Sequence, residues 1–221
     1  MYIIIKMASI EQKVGKRVEV KSQVEETGDP FIKIYRHAVP ATLCESLIAM
    51  MDESRDSHSQ VRQNGASCNK FEFPTDTYPD THSQYCQLRL IIKALFENYK
   101  SITPHYSNFN WIKQIAPPNI AEYRKDVDSW GPHCDAWNAE SMNRILNVTI
   151  YLNDVKEGGE TALPNQGISI APQMGTVVIY PSGMTYPYKE EMPKSCTKYI
   201  VTTWLCVPGV AGSKFYLSNP L

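Results

Sequence analysis

His133 and Asp135, with Cys134 between them, are the residues best equipped for chemistry in this 221-residue chain. Residues i and i+2 of an extended segment share one face. The imidazole and the carboxylate can therefore address a single ion. Together they are two-thirds of the two-histidine, one-carboxylate set that holds non-haem ferrous iron and leaves positions open for substrate and oxygen. The chain has five histidines, and His37, His58, His82 and His105 all precede this pair. The completing ligand is expected well downstream, yet no histidine follows His133. A histidine two residues from an acid also arises by chance. Its setting strengthens it, because a Gly131-Pro132 turn leads in and a polar loop follows.

The elements that must position these residues can be read from periodicity. Phe31 to Tyr35 alternates like a short strand. Pro40-Ala41-Thr42 opens a helix, with Thr42 as N-cap, Glu45 three residues on, and an apolar stripe of Leu43, Leu47, Ile48 and Met51. A second helix over 85–102 carries Leu88, Ile91, Ile92, Leu95, Phe96 and Tyr99, and ends at Pro104. The polar stretch 52–85 between the helices reads as a long loop with a short strand near 71–73, and such loops are often functional covers. From 108 to 207 short β-like runs alternate with turn signals, at 108–114, 119–125, 131–136, 144–152, 167–171, 175–180 and 197–206.

Two of these runs have telling faces. Leu146, Val148, Ile150 and Leu152 oppose Ile145, Asn147, Thr149 and Tyr151. Lys198, Ile200, Thr202, Trp204 and Cys206 oppose Tyr199, Val201, Thr203 and Leu205. A face with Thr, Tyr or Lys on an otherwise apolar strand suits either a polar pocket inside a sandwich or contact with water. The expected division is a tail over 1–28, a strand with supporting helices over 29–104, a β-core over 105–208 and a tail over 209–221. Residues 7–28 mix Lys and Glu with few large apolar groups, which underlies the first of these.

Several segments together resemble the prolyl 4-hydroxylase-like group of iron- and 2-oxoglutarate-dependent oxygenases. They are Ile120-Ala121-Glu122-Tyr123-Arg124, His133-Cys134-Asp135, Asn143 to Asp154, Gly158-Gly159-Glu160-Thr161-Ala162-Leu163-Pro164, Ile170-Ala171-Pro172, Gly175 to Ser182 and Lys198 to Leu205. Residues 31–51 fit the group's lead-in more loosely. The resemblance implies a mainly β fold with N-terminal helices, a double-stranded β-helix of jelly-roll, cupin-like type. It implies His133 and Asp135 as catalytic iron ligands, and Lys198 as the cation for the distal carboxylate of 2-oxoglutarate. A dicarboxylate buried in a barrel needs such a fixed charge. Without that role Lys198 would be a snorkelling surface lysine. Tyr123 and Tyr151 fall on positions that give a hydroxyl to the same cosubstrate, or are core tyrosines. Trp130 lines a substrate channel or merely packs. Trp137 and the loop over 56–84 are candidates to cover the substrate. Gly158, Gly159, Glu160, Arg144 and Asn153 read as structural.

In the resembled group the second histidine stands about ten residues before the basic residue, after a Tyr-Pro pair. Here Tyr188 is there, behind Tyr186-Pro187, and a one-residue shift would bring Lys189 instead. Three outcomes stay open. Tyr188 binds the metal as a phenolate or leaves the position to water; metal affinity is lost and the fold binds a peptide or small molecule; or the metal or chemistry has changed. A free tyrosine has a pKa near ~10, which a bound metal would have to lower.

The expected function is hydroxylation of a C–H bond, on peptidyl proline or a small amino-acid-like molecule, with Fe(II), 2-oxoglutarate and ascorbate as cofactors. Apolar content of 43%, charge of 20% and a net charge of −1 suit a globular protein and argue against nucleic acid or an anionic membrane as partner. The six cysteines form no C-x-x-C pair, which favours free thiols over a disulfide scaffold. No run is long and apolar enough for a signal peptide or a membrane span, so the expected location is cytoplasmic.

Overall fold

The computed structural model describes residues 2–6, 19–54, 59–63, 66–72, 83–104 and 111–208. In chain order the elements are β1 (Tyr2–Lys6), β2 (Glu19–Glu25), β3 (Lys33–Arg36), α1 (Ala41–Glu53), β4 (Ser59–Gln63), β5 (Ala66–Glu72), α2 (Ser83–Ile102), β6 (Gln114–Ile115), β7 (Asn119–Tyr123) and β8 (Trp130–His133). Then come β9 (Arg144–Tyr151), β10 (Thr161–Leu163), β11 (Ile168–Ile170), β12 (Val177–Pro181), β13 (Tyr188–Glu190) and β14 (Lys198–Cys206). The large sheet runs β1-β2-β3-β12-β9-β14-β7-β5-β4, with β6 on β14. The small sheet runs β11-β10-β13-β8.

Side-chain alternation on the central strands decides how the layers stack. Leu146, Val148 and Ile150 of β9, Val177 and Ile179 of β12 and Val201 and Leu205 of β14 bury one face of the large sheet against the helices, beneath Leu47, Leu88, Ile91, Leu95 and Phe96. Tyr151, Val178, Tyr180, Ile200, Ala121 and Tyr123 point the other way and meet Leu163, Ile170 and Tyr188 of the small sheet. Each central strand is buried on both faces by a different partner. Two sheets over one interior, with helices behind the larger, make the double-stranded β-helix expected from the resemblance. The Tyr99 hydroxyl donates to the Phe31 carbonyl at 2.9 Å and fixes α2 along the segment leading into β3.

Four local expectations change. The helix α1 starts earlier than the Thr42 cap implies. Pro40 is its N-cap at φ −59° with no side-chain cap bond, and the Pro40 carbonyl accepts from the Leu43 and Cys44 amides. Residues 19–25, expected within a tail, pair with β3, because Val20, Ser22 and Val24 alternate onto the buried face. The segment expected as a loop contributes β4 and β5, which extend the large sheet beside β7. The strand expected over 108–114 is realised only as β6, and 108–110 lie outside the described residues. The tail expected over 209–221 also lies outside them, as do parts of the proposed covering loop at 55–58, 64–65 and 73–82.

The turn from β7 to β8, which leads into the strand carrying His133, is held by a polar cluster. Asp126 takes φ +57° there. The fully buried Asp128 carboxylate accepts from the Arg124 amide at 2.9 Å, from Arg124 Nε at 2.8 Å and from the Ser67 hydroxyl, which belongs to β5. Burial raises the Asp128 pKa, but these donors outweigh it and hold the group below the usual carboxylate range. A lowered folded pKa means stability that is present above the unfolded value near ~4 and lost as pH falls through the folded value. Asp128→Ala should therefore lower unfolding free energy by about 2 kcal/mol at neutral pH in denaturant titration, and by progressively less as the titration is repeated toward acid.

Candidate active site

β8 and β13 bring the expected metal residues together. Tyr188 pairs directly with His133 across the small sheet. Their rings sit 4.3 Å apart, tilted by 45°. His133 Nδ1 lies 2.9 Å from the Gly131 carbonyl. A carbonyl only accepts, so that nitrogen carries the proton and Nε2 offers its lone pair. Nε2 faces Asp135 Oδ1 at 3.7 Å. Asp135, just past the end of β8, is held from its other oxygen. Oδ2 accepts from the Tyr188 hydroxyl at 2.8 Å and from Trp204 Nε1 at 3.0 Å. Arg144 stacks on Trp204 at 3.7 Å, the structural role expected of it.

Iron is tested on this donor set. At the ~2.0–2.2 Å typical of divalent metal bonds to imidazole and carboxylate, one ion can bridge donors 3.7 Å apart. His133 Nε2 and Asp135 Oδ1 fit it, each fixed by a hydrogen bond on its other side. The third position is different. Burial, then the Asp135 charge, pushes the Tyr188 hydroxyl well above the ordinary tyrosine value, so it is a neutral phenol donating to Asp135. Among the described residues no three His, Cys, Asp or Glu side chains are grouped to hold a metal.

Lys198, expected as a cosubstrate anchor, has a partner that sequence reading missed. Lys198 is fully buried and donates to Glu190 Oε2 and to the Gly159 carbonyl, both at 2.7 Å. The ammonium lies 4.7 Å over the Tyr123 ring. Gly158 and Gly159 take φ +67° and +75°, a turn that brings the Gly159 carbonyl onto Lys198, and a Cβ on Gly158 would strike the Met192 carbonyl. Glu190 is 2% exposed and its Oε2 also accepts from Thr161 at 2.8 Å. Among the described residues its Oε1 has no hydrogen-bond partner. Glu190, two residues after Tyr188 on β13, points to the same side.

A cavity of about 30 Å³ joins these groups. That is room for about two waters. Trp130, Tyr123, His133, Asp135, Tyr188 and Glu190 line it, and Lys70 closes the rim, 5.5 Å over Trp130. Glu190 faces the cavity and Lys198 lies behind it. The residues thus fit iron through His133 and Asp135, and do not fit 2-oxoglutarate while Glu190 holds Lys198. Tyr151 is packed between the sheets, its hydroxyl 3.5 Å from the Ile170 carbonyl, away from the cavity. Trp137 is 72% exposed and stands outside it. Glu190, Lys70 and Thr161 were not singled out from sequence. The i, i+2 spacing of Tyr188 and Glu190 was the available signal for the first.

Residues 118–206 match the 2OG-Fe(II) oxygenase superfamily. The particular likeness is to prolyl 4-hydroxylases. A probable prolyl 4-hydroxylase 11 of Arabidopsis thaliana is 28% identical over 109 residues, covering 44% of this chain and 38% of that protein. The chain therefore spans well under half of that relative's length. Two solved structures share the fold. The viral collagen prolyl hydroxylase of Paramecium Bursaria Chlorella virus-1, solved as a 2OG complex, aligns with TM-score 0.61 at 15% identity over 81% of this chain and 97% of its own. A Pseudomonas putida prolyl-4-hydroxylase aligns with TM-score 0.62 at 16% identity over 80% and 93%.

If Tyr188 stands beside the metal position, Tyr188→His adds an imidazole donor and should tighten Mn²⁺ binding by at least about tenfold in calorimetry. Unchanged affinity would mean that this side chain does not face the ion.

Proposed function

We propose that the protein is an iron- and 2-oxoglutarate-dependent dioxygenase of the prolyl 4-hydroxylase type. The observation that carries this reading is the convergence of His133 Nε2 and Asp135 Oδ1 at 3.7 Å within the segment that matches the oxygenase superfamily. When bound, iron with 2-oxoglutarate and oxygen supplies the oxidising power that converts C–H to C–OH, releasing succinate and carbon dioxide. The chain's part is to hold and orient. His133 and Asp135 would hold the ion. The Gly131 carbonyl fixes the imidazole tautomer, and Trp204 and Tyr188 fix the carboxylate. Trp130 and Lys70 line the same cavity, where a substrate would approach the ion.

Peptidyl proline, or a small amino-acid-like molecule, is the substrate class this reading takes. A structural neighbour from Trichoplax adhaerens, a prolyl hydroxylase with TM-score 0.61 at 15% identity over 81% of this chain and 85% of its own, was solved with a hypoxia inducible factor peptide fragment. The oxygenase core spans 105–208 with 29–104 as its support, ascorbate serves as reductant, and the protein works in the cytoplasm. No helix among the described residues is long and apolar enough to cross a membrane.

A second reading is favoured by specific contacts. The neutral Tyr188 phenol on Asp135 and the Glu190 carboxylate on Lys198 also suit a catalytically impaired module that keeps the fold for binding. The two part in one assay. Purified chain given Fe²⁺, oxygen, 2-oxoglutarate and a proline-rich peptide should form succinate, and Asp135→Ala should abolish it. Absence of both metal binding and succinate favours the binding module.

A further inference from the structure

The Lys198–Glu190 pair has a consequence for cosubstrate affinity. Both side chains are buried, Lys198 completely and Glu190 to 2% exposure. A buried ammonium needs a counter-charge, and here the chain supplies its own. An incoming carboxylate that seeks the same ammonium meets a second negative charge at hydrogen-bond distance, in a site with little water to screen it. Volume opposes it as well. Glu190 rather than Lys198 faces a cavity of about 30 Å³.

The fastening of Glu190 is one-sided. Oε2 takes both the Lys198 and Thr161 donors, while the buried Oε1 has none among the described residues. An unsatisfied buried oxygen carries a desolvation cost, so the pair is weaker than a fully satisfied one. Lys198 also keeps the Gly159 carbonyl and the Tyr123 ring when Glu190 leaves. The competitor is thus displaceable, and its seat remains formed.

We propose that Glu190 is a built-in competitor for the dicarboxylate seat, a residue that sets how tightly this chain takes a 2-oxoglutarate-like dianion by occupying Lys198 itself. This rests on the functional reading above, in which Lys198 anchors the cosubstrate. Binding then requires exchange of one carboxylate for another on the same ammonium. Charge and volume contribute separately. Glu190→Gln removes the charge and keeps the size, while Glu190→Ala removes both.

Calorimetry with 2-oxoglutarate, in the presence of redox-silent Mn²⁺, tests this on the full chain. Affinity should rise in the order wild type, Glu190→Gln, Glu190→Ala, with at least about tenfold between first and last. Succinate, which lacks the keto group that a metal would chelate, should follow the same order more weakly. Glu190→Ala leaves Lys198 buried without a counter-ion and should lower the melting temperature. Succinate should then raise it for this variant and much less for wild type. Equal affinities in the three proteins, or no binding by any, would overturn the proposal. The functional reading fails differently, if Glu190→Ala binds 2-oxoglutarate but no variant forms succinate.

Discussion

Lys198 is a full positive charge enclosed between two β-sheets, and much of the interior is arranged around that fact. It enters from the first residue of β14, opposite Tyr123 of β7, and its ammonium crosses to Glu190 on β13. The Gly159 carbonyl, held by a two-glycine turn, accepts a second bond. One buried cation therefore links the large sheet, the small sheet and the turn before β10. Breaking such a pair by deleting one partner typically costs about 3–5 kcal/mol, because the remaining charge is stranded. Two acceptors, Glu190 and the Gly159 carbonyl, and the face of the Tyr123 ring offset the cation.

A second polar centre lies across the cavity from the first. Asp135 accepts from two donors on one oxygen, the Tyr188 phenol and the Trp204 indole, and turns the other oxygen toward His133. Strand β13 belongs to both centres, since Tyr188 serves Asp135 and Glu190 serves Lys198. Where a resemblance leads one to expect a histidine and an open anion seat, this strand presents a phenol and a carboxylate. Both additions reduce what the site takes without rearrangement, and both lie on one three-residue strand. The proposed metal half and the proposed cosubstrate half of the site are thus connected by the same short element.

Legibility followed residue chemistry and periodicity. His133 and Asp135 could be singled out because i, i+2 spacing sets an imidazole beside an acid, and Lys198 because it opens a strand whose face also carries Thr202 and Trp204. The helical stripe of α2 and the two faces of β9 were readable because each has a different buried partner. Glu190 was not, because Lys189-Glu190-Glu191 looks like a solvated charged turn until β8 and β10 flank it. Lys70 comes from β5, in a polar stretch whose pairing with β7 depends on long-range contacts that no local pattern encodes. The strand β2 hid its period of two among lysines and glutamates, with only Val20, Ser22 and Val24 turned inward. Tyr151 shows the opposite limit: a tyrosine on the right strand whose hydroxyl finds a backbone carbonyl in the core.

The central claim is that His133 and Asp135 form the metal-holding pair of an oxygenase site. Anomalous diffraction from crystals of the chain grown with Mn²⁺ tests it most directly. The account predicts a single ion bonded to His133 Nε2 and Asp135 Oδ1, with Tyr188 turned toward it or leaving its place to water. An ion bound elsewhere, or no ion with His133 and Asp135 both ordered, would contradict it.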